Sequence, residues 1–169
     1  MENKEIIKIL KSNDNTLIID TLKNLKKTGN KNLIPEIYNL LISSDDTKIR
    51  NEIINIFNNL KDQASVPFLL SAIQNCTDSK ILNILVSSCW NNGLNYSEYY
   101  DVFIELIIKR DFELAFEAHT VIENQSRKLN TEIIDSYITQ LKAHIKESDS
   151  QKTVIINETI NTLLNQKED

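Results

Sequence analysis

The chain has 169 residues, of which 41% are hydrophobic and 25% charged, and its net charge is −5. This length and composition predict one domain with a substantial apolar core. The excess of carboxylates argues against a general binder of nucleic acids or anionic membranes, because affinity for phosphate groups comes mainly from Lys and Arg. Only two Gly and two Pro are present, which favours long helices joined by short turns.

Neither a secretory signal nor a membrane span is expected. Charged residues interrupt the apolar residues of the N-terminal segment MENKEIIKILK. The longest uncharged runs, residues 63–77 and 81–97, are too short and polar to cross a bilayer. Cys76 and Cys89 fit no CxxC motif, and the predicted helix holds them too far apart for a disulfide. We therefore predict two buried thiols and a cytoplasmic protein.

Helical periodicity of the apolar residues predicts ten helices in five hairpin repeats, all within one domain, 1–169. The predicted repeats are about residues 1–31, 32–62, 63–95, 96–128 and 129–169. In the first repeat, a short helix at about 2–11 precedes a longer helix that Asp14 caps. We expect this second helix to end at Gly29, because Gly is favoured just after the last turn.

The second and third repeats share one layout. Pro35 and Pro67 each stand in the first turn of a first helix, where a missing N–H costs little. Asp46 and Asp78 are predicted to cap the second helices. In the fourth repeat we expect Ser97 to cap the first helix.

The fifth repeat has predicted helices at about 131–146 and 151–165. The spacing of the predicted caps shows the period best, since they are 32, 32, 33 and 38 residues apart, at Asp positions 14, 46, 78, 111 and 149. A repeat of this length supplies one hairpin whose apolar faces only its neighbours can cover. The expected fold is therefore all-α, a stack of helical hairpins.

Residues 44–50, SDDTKIR, and residues 60–69, LKDQASVPFL, resemble a HEAT repeat. The similarity lies in Asp-x-x-Ile-Arg and in Leu-x-Asp-x-x-x-Val-Pro-x-Leu, which links one hairpin to the next. It extends over residues 32–75. Elsewhere only the period and apolar pattern match, because Ile18, Leu82 and Ala115 stand where the motif has Arg. Tetratricopeptide repeats have a similar period, but their Trp, Leu-Gly and Tyr positions are not occupied here. The HEAT resemblance implies a right-handed α-α superhelix whose second helices line the concave face.

No set of residues predicts an enzyme, a cofactor or a metal site. His119 and His144 are 25 residues apart and are not an i, i+4 metal pair. His119 could form an acid–base or ligand set with Glu117 and Glu123, although a surface His beside helix carboxylates is the commoner arrangement. The two glycines cannot build a phosphate-binding loop.

Two HEAT-like enzyme families are disfavoured. Alkylpurine DNA glycosylases need a basic, aromatic groove, whereas this chain is acidic and has a single Trp90, with no carboxylate on the next turn. Phycobilin lyases use related repeats, but nothing in the sequence indicates a tetrapyrrole.

Charge is uneven along the chain. Residues 98–123 contain seven carboxylates and two basic residues, beside a neutral stretch at 63–97. On the expected concave face, residues four apart on the second helices form a strip that we predict to bind a partner. The strip and its acidic flank comprise Arg50, Ile54, Asn58, Leu82, Val86, Trp90, His119, Glu123, Glu113 and Glu117.

An apolar centre anchored by Trp90 beside carboxylates suits a protein or peptide with apolar and basic residues. In the alternative interpretation, Leu82 and Val86 are core contacts, Trp90 covers a hairpin end and the carboxylates are a solvated face. The leading functional hypothesis is a non-catalytic adaptor or scaffold that is monomeric when alone. The alternative is a structural subunit or self-associating protein, and an enzyme of the DNA glycosylase or lyase type is less favoured.

Overall fold

The computed structural model describes residues 2–28 and 30–167, which form ten α-helices and no extended strand. The all-α fold class predicted from the sequence is confirmed. The helices are α1 (Asn3–Leu10), α2 (Asn15–Thr28), α3 (Ile34–Ser43), α4 (Thr47–Asn58), α5 (Val66–Asn75), α6 (Ser79–Asn92), α7 (Tyr100–Lys109), α8 (Phe112–Glu123), α9 (Thr131–His144) and α10 (Ser150–Asn165).

Each second helix of a hairpin begins at the Asp that the sequence predicts. The carboxylates of Asp14, Asp78, Asp111 and Asp149 each accept a hydrogen bond from the backbone N–H three residues later, at 2.8–3.0 Å. Asp46 accepts from the backbone N–H groups of Lys48 and Ile49, two and three residues later, at 2.8 and 3.2 Å. These bonds satisfy N–H groups that the first turn leaves unpaired, and each cap stabilises its helix by about 1 kcal/mol. The repeated Asp therefore fixes where every second helix starts.

The first helices differ more from the predictions. Pro35 and Pro67 lie in the first turns of α3 and α5, as predicted. The helix predicted at 131–146 ends at His144 and continues as a short 3-10 turn. The predicted end of α2 at Gly29 lies outside the described residues.

The prediction that Ser97 caps a helix is wrong. Ser97 is buried within a 3-10 turn, Ser97–Tyr99, and α7 begins only at Tyr100. The backbone N–H and the hydroxyl of Ser97 both donate to Asn95 Oδ1, at 2.9 and 2.7 Å. The Asn95 side chain thus organises this turn, and the Ser97 hydroxyl is not available to the helix.

The helices form two compact units. The N-terminal unit ends at Leu94 and the C-terminal unit starts at Asn95. In the N-terminal unit, α1, α3 and α5 pack in succession in one layer and α2, α4 and α6 in another. In the C-terminal unit, α7 packs on α9 and α8 on α10. Each hairpin covers the apolar face of the next, so the predicted stacking of repeats is present within each unit.

Both cores lie between the two helix layers. Phe57, Leu69 and Leu85 are fully buried in the N-terminal unit, and Tyr96 and Phe103 in the C-terminal unit. The Tyr96 and Phe103 rings meet edge to face, with their centroids 5.8 Å apart. The two cysteines are buried thiols that form no disulfide, as predicted.

Candidate partner-binding surface

Arg50, the first residue of the predicted strip, binds its own hairpin. Its Nη1 donates to the backbone oxygens of Leu41 and Ser44, at 3.2 and 3.4 Å. Both oxygens lie at the end of α3, where carbonyl groups have no partner within the helix. The half-buried guanidinium therefore closes the turn between α3 and α4.

The centre of the predicted strip is not a surface. Leu82 and Val86 are 1% and 0% exposed, because α6 packs against α4 and α5. The alternative interpretation, in which both are core contacts, agrees with this burial. Ile54 and Asn58 lie half-buried on α4.

Trp90 lies in the last turns of α6 and is half-buried. An aromatic ring that is partly open to solvent can anchor a partner or cover the end of a hairpin. Trp90 therefore stays a candidate anchor, and it belongs to the N-terminal unit.

His119 is buried, so the expectation of a surface His is wrong. It is 6% exposed, and its Nδ1 lies 3.0 Å from Thr159 Oγ1 on α10. The Thr159 hydroxyl donates to the Ile155 carbonyl at 2.8 Å, so Nδ1 must carry the proton and donate to Oγ1. Burial lowers the pKa of His119, while Glu123 and Glu158 act in the opposite direction. His119 is thus a neutral link between α8 and α10.

Sequence reasoning missed an exposed aromatic pair on α8. Phe112 and Phe116 are 36% and 48% exposed, and their ring centroids are 6.4 Å apart with the planes tilted by 32°. Residues four apart lie on the same side of a helix. The signal in the sequence was that both Phe residues fall outside the buried stripe of α8, which includes Leu114 and Ala118. Paired large aromatics in solvent are typical of an interaction site.

All charged residues of α8 are carboxylates. Its three carboxylates are Glu113, Glu117 and Glu123, and it contains no Lys or Arg. Glu113 and Glu123 are exposed and Glu117 is half-buried. We call the set Phe112, Phe116, Glu113, Glu117 and Glu123 the α8 patch. It combines apolar side chains with negative charge on one helix, whereas the apolar centre predicted from the sequence lies on Leu82, Val86 and Trp90 of the third repeat, with only the acidic flank on α8.

Two ion pairs offset carboxylates of residues 98–123 that lie outside α8. Glu105 pairs with Lys109 at 2.6 Å and Glu98 pairs with Arg127 at 2.8 Å. Three of the other five carboxylates of this stretch lie on α8.

The described residues, 2–28 and 30–167, offer neither a cluster of metal ligands nor a membrane-spanning helix. No group of three or more His, Cys, Asp or Glu side chains in this part of the chain is arranged to hold a metal ion. None of its helices has the length and hydropathy needed to cross a bilayer.

No protein-family model matches the chain, and no curated protein matches it. Among solved structures, one engineered protein is 16% identical, with a TM-score of 0.49 over 96% of this chain and 79% of the other. A second engineered protein is 14% identical, with a TM-score of 0.42 over 98% and 100%. A designed armadillo repeat protein is 12% identical, with a TM-score of 0.38 over 96% and 100%. Similarities this low assign neither a family nor a function.

Proposed function

We propose that the chain is a non-catalytic, HEAT-like protein-binding module and that the α8 patch holds a peptide or helix carrying apolar and basic residues. The exposed Phe112–Phe116 pair among carboxylates is the observation that supports this function. We expect the protein to act as an adaptor or scaffold in the cytoplasm and to be monomeric when alone.

The HEAT-like part of the proposal is supported by the contacts of the motif residues. Asp46 caps α4, and Arg50 binds the end of α3. Pro67 begins α5 after the linker that follows α4. Asp46 and Arg50 therefore stabilise the turn within one hairpin, and Pro67 helps to start the next hairpin.

The contacts that the α8 patch offers are sufficient for specific binding of modest affinity. Burying a Phe side chain contributes roughly 1.5–3 kcal/mol, and an aromatic ring loses little conformational freedom on binding. The surrounding carboxylates contribute mainly to the association rate and to discrimination against acidic partners. A partner with basic residues around an apolar centre satisfies both requirements.

The test is selection of peptides from a random displayed library on the immobilised full chain. We expect selected peptides to combine basic and apolar residues and to lose binding to the variant Phe112→Ser/Phe116→Ser. The matched control is Leu17→Ser/Ile42→Ser, which removes two exposed apolar side chains of the N-terminal unit, 44% and 50% exposed. Selected peptides that lack basic residues, or that bind the Phe variant as well as wild type, would refute the site. Trp90→Ala tests the remaining anchor separately.

Self-association is the second candidate function, and exposed apolar residues at one end of the last hairpin favour it. Ile133 at the start of α9 and Leu164 at the end of α10 are 48% and 49% exposed. The backbone N–H of Leu129 donates to the Gln166 carbonyl, at 2.9 Å, which holds these two helix ends together. Sedimentation at several concentrations should show a dimer that Ile133→Ser/Leu164→Ser abolishes if this function is correct, and a monomer throughout if the adaptor hypothesis is correct.

A further inference from the structure

The N-terminal unit contains a pocket of about 350 Å³ where α2 and α4 end and α3 begins. Pockets that hold small ligands typically measure about 300–1,000 Å³. The floor is apolar and comes from three helices, with Leu25, Ile34 and Ile56 each 6% exposed or less. A molecule in this pocket would contact a preformed hydrophobic surface.

Four lysines line the pocket, Lys26, Lys27, Lys31 and Lys61, against one carboxylate, Asp62. Lys31 pairs with Asp62 at 3.2 Å, and the Lys61 ammonium donates to the Asn92 carbonyl at 3.4 Å. Lys26 and Lys27 are exposed in the last turn of α2. The pocket is therefore locally positive in a chain whose net charge is −5.

We propose that this pocket binds a small organic anion that has a phosphate or carboxylate head and an apolar body. The ammonium groups of Lys26 and Lys27 bind the head, because Lys is a compact point charge suited to phosphate and carboxylate. The leucine and isoleucine floor takes the body, and desolvation of this floor strengthens binding beyond charge attraction alone. Both a lipid-derived acid and a soluble aromatic metabolite have this chemistry. The site is independent of the α8 patch, which lies in the other unit.

The test is isothermal titration of the full chain with octyl phosphate, below the concentration at which it forms micelles. We expect one site, with binding that weakens from octyl to butyl phosphate and further to inorganic phosphate. Phenyl phosphate distinguishes the two sources when it is compared with hexyl phosphate, which has the same number of carbons, because tighter binding of phenyl phosphate indicates an aromatic ligand and the reverse a lipid-like one. Equal affinity for octyl phosphate and inorganic phosphate would overturn the proposal, since the apolar floor would then contribute nothing.

The variant Lys26→Gln/Lys27→Gln removes two ammonium groups and leaves the contacts of Lys31, Lys61 and Asp62 in place. Its affinity for octyl phosphate should fall by about tenfold or more. The matched control is Lys142→Gln/Lys146→Gln, which removes two exposed lysines at the end of α9 and should bind like wild type. Thermal melts verify that both variants are folded. Equal losses in the two variants, or no binding by wild type up to about 1 mM, would contradict the proposal.

Discussion

The two units join their hairpins at the same place with different side chains. In the N-terminal unit, the Asn92 amide at the end of α6 donates to the Phe57 carbonyl near the end of α4, at 3.3 Å. In the C-terminal unit, the Gln166 amide after α10 donates to the Ile122 and Gln125 carbonyls at the end of α8, both at 2.9 Å. In each unit, a lysine from the linker between consecutive hairpins also donates to a backbone carbonyl near the end of the later helix. These bonds run from Lys61 to Asn92 and from Lys128 to Asn165. The contact between the ends of consecutive second helices therefore recurs at the same position of the repeat, although the side-chain amide comes from Asn in one unit and from Gln in the other.

The donors that pair with the last carbonyl groups of the first helices also differ between the two units. Arg50 closes α3 from within its own hairpin. The fourth repeat has Ala115 at the corresponding position, and there Lys152 of the next hairpin donates to the Ile108 and Arg110 carbonyls, at 2.6 and 2.7 Å. The carbonyls at a helix end need a donor, but the donor does not have to come from the motif. In the fourth repeat, Lys152 thus takes the role that Arg50 has in the second.

The largest expected difference between the units concerns Gln166 and Asn92. Gln166 is 6% exposed and also accepts a hydrogen bond from the buried Tyr100 hydroxyl at 2.9 Å, so Gln166→Ala removes three hydrogen bonds that are buried or partly buried. We expect a loss of about 2–4 kcal/mol in the free energy of unfolding, against about 1–2 kcal/mol for Asn92→Ala. Urea unfolding followed by far-UV circular dichroism measures both. A larger loss for Asn92→Ala would reverse the comparison.

A smaller effect is expected for Lys152 and Arg50. Replacing Lys152 by Met keeps the apolar stem and removes the charged donor, which should destabilise the C-terminal unit by about 1–2 kcal/mol. Arg50→Met should cost a similar amount in the N-terminal unit. Hydrogen exchange then locates the damage, with faster exchange at the last turn of α7 for Lys152→Met and of α3 for Arg50→Met. Loosening of α7 by Arg50→Met would show that the two donors are not equivalent.

Acid should weaken the two units in different pH ranges. Both histidines lie in the C-terminal unit, and burial lowers the pKa of His119 in the folded state. The unfolded chain therefore binds the proton more readily, so stability falls as the pH drops below about 6.5. In the N-terminal unit, hydrogen bonds from the backbone N–H groups of Ile49 and Ala64 lower the pKa of Asp46 and Asp62, respectively, and this stability is lost only below the ordinary value of 3.8.

Urea unfolding between about pH 7.5 and pH 5 tests the pH range in which His119 should affect stability. His119→Gln should flatten the dependence of the unfolding free energy on pH in this range, whereas His144→Gln, the control, should not. Fluorescence of Trp90, the single tryptophan, reports on the N-terminal unit and should change little over the same range. A wild-type stability that stays constant down to pH 5 would contradict the role given to His119.

The fold was predictable from the sequence because its determinants are local. An Asp cap and a Pro in the first turn act within a few residues of their positions, and both recur with the period of the repeat. The site was less predictable, because exposure depends on neighbouring helices. Leu82 and Phe116 are both large apolar residues, but neighbouring helices cover Leu82 almost completely, while Phe116 is 48% exposed. The position of His119 was misjudged for the same reason, since its partner Thr159 is 40 residues away.

The smallest expected effect on stability is at the α8 patch. Phe57 and Phe103 are fully buried, and their replacement by Ala should cost about 3–5 kcal/mol, because each leaves a cavity. Phe112 and Phe116 are 36% and 48% exposed, so Phe112→Ser/Phe116→Ser should change the free energy of unfolding by no more than about 1 kcal/mol, roughly 0.5 kcal/mol for each substitution. Chemical denaturation of the double variant measures this directly. A loss close to that of Phe57→Ala would mean that the pair belongs to the core of the C-terminal unit. An unchanged stability together with lost peptide binding would separate the function of α8 from its folding.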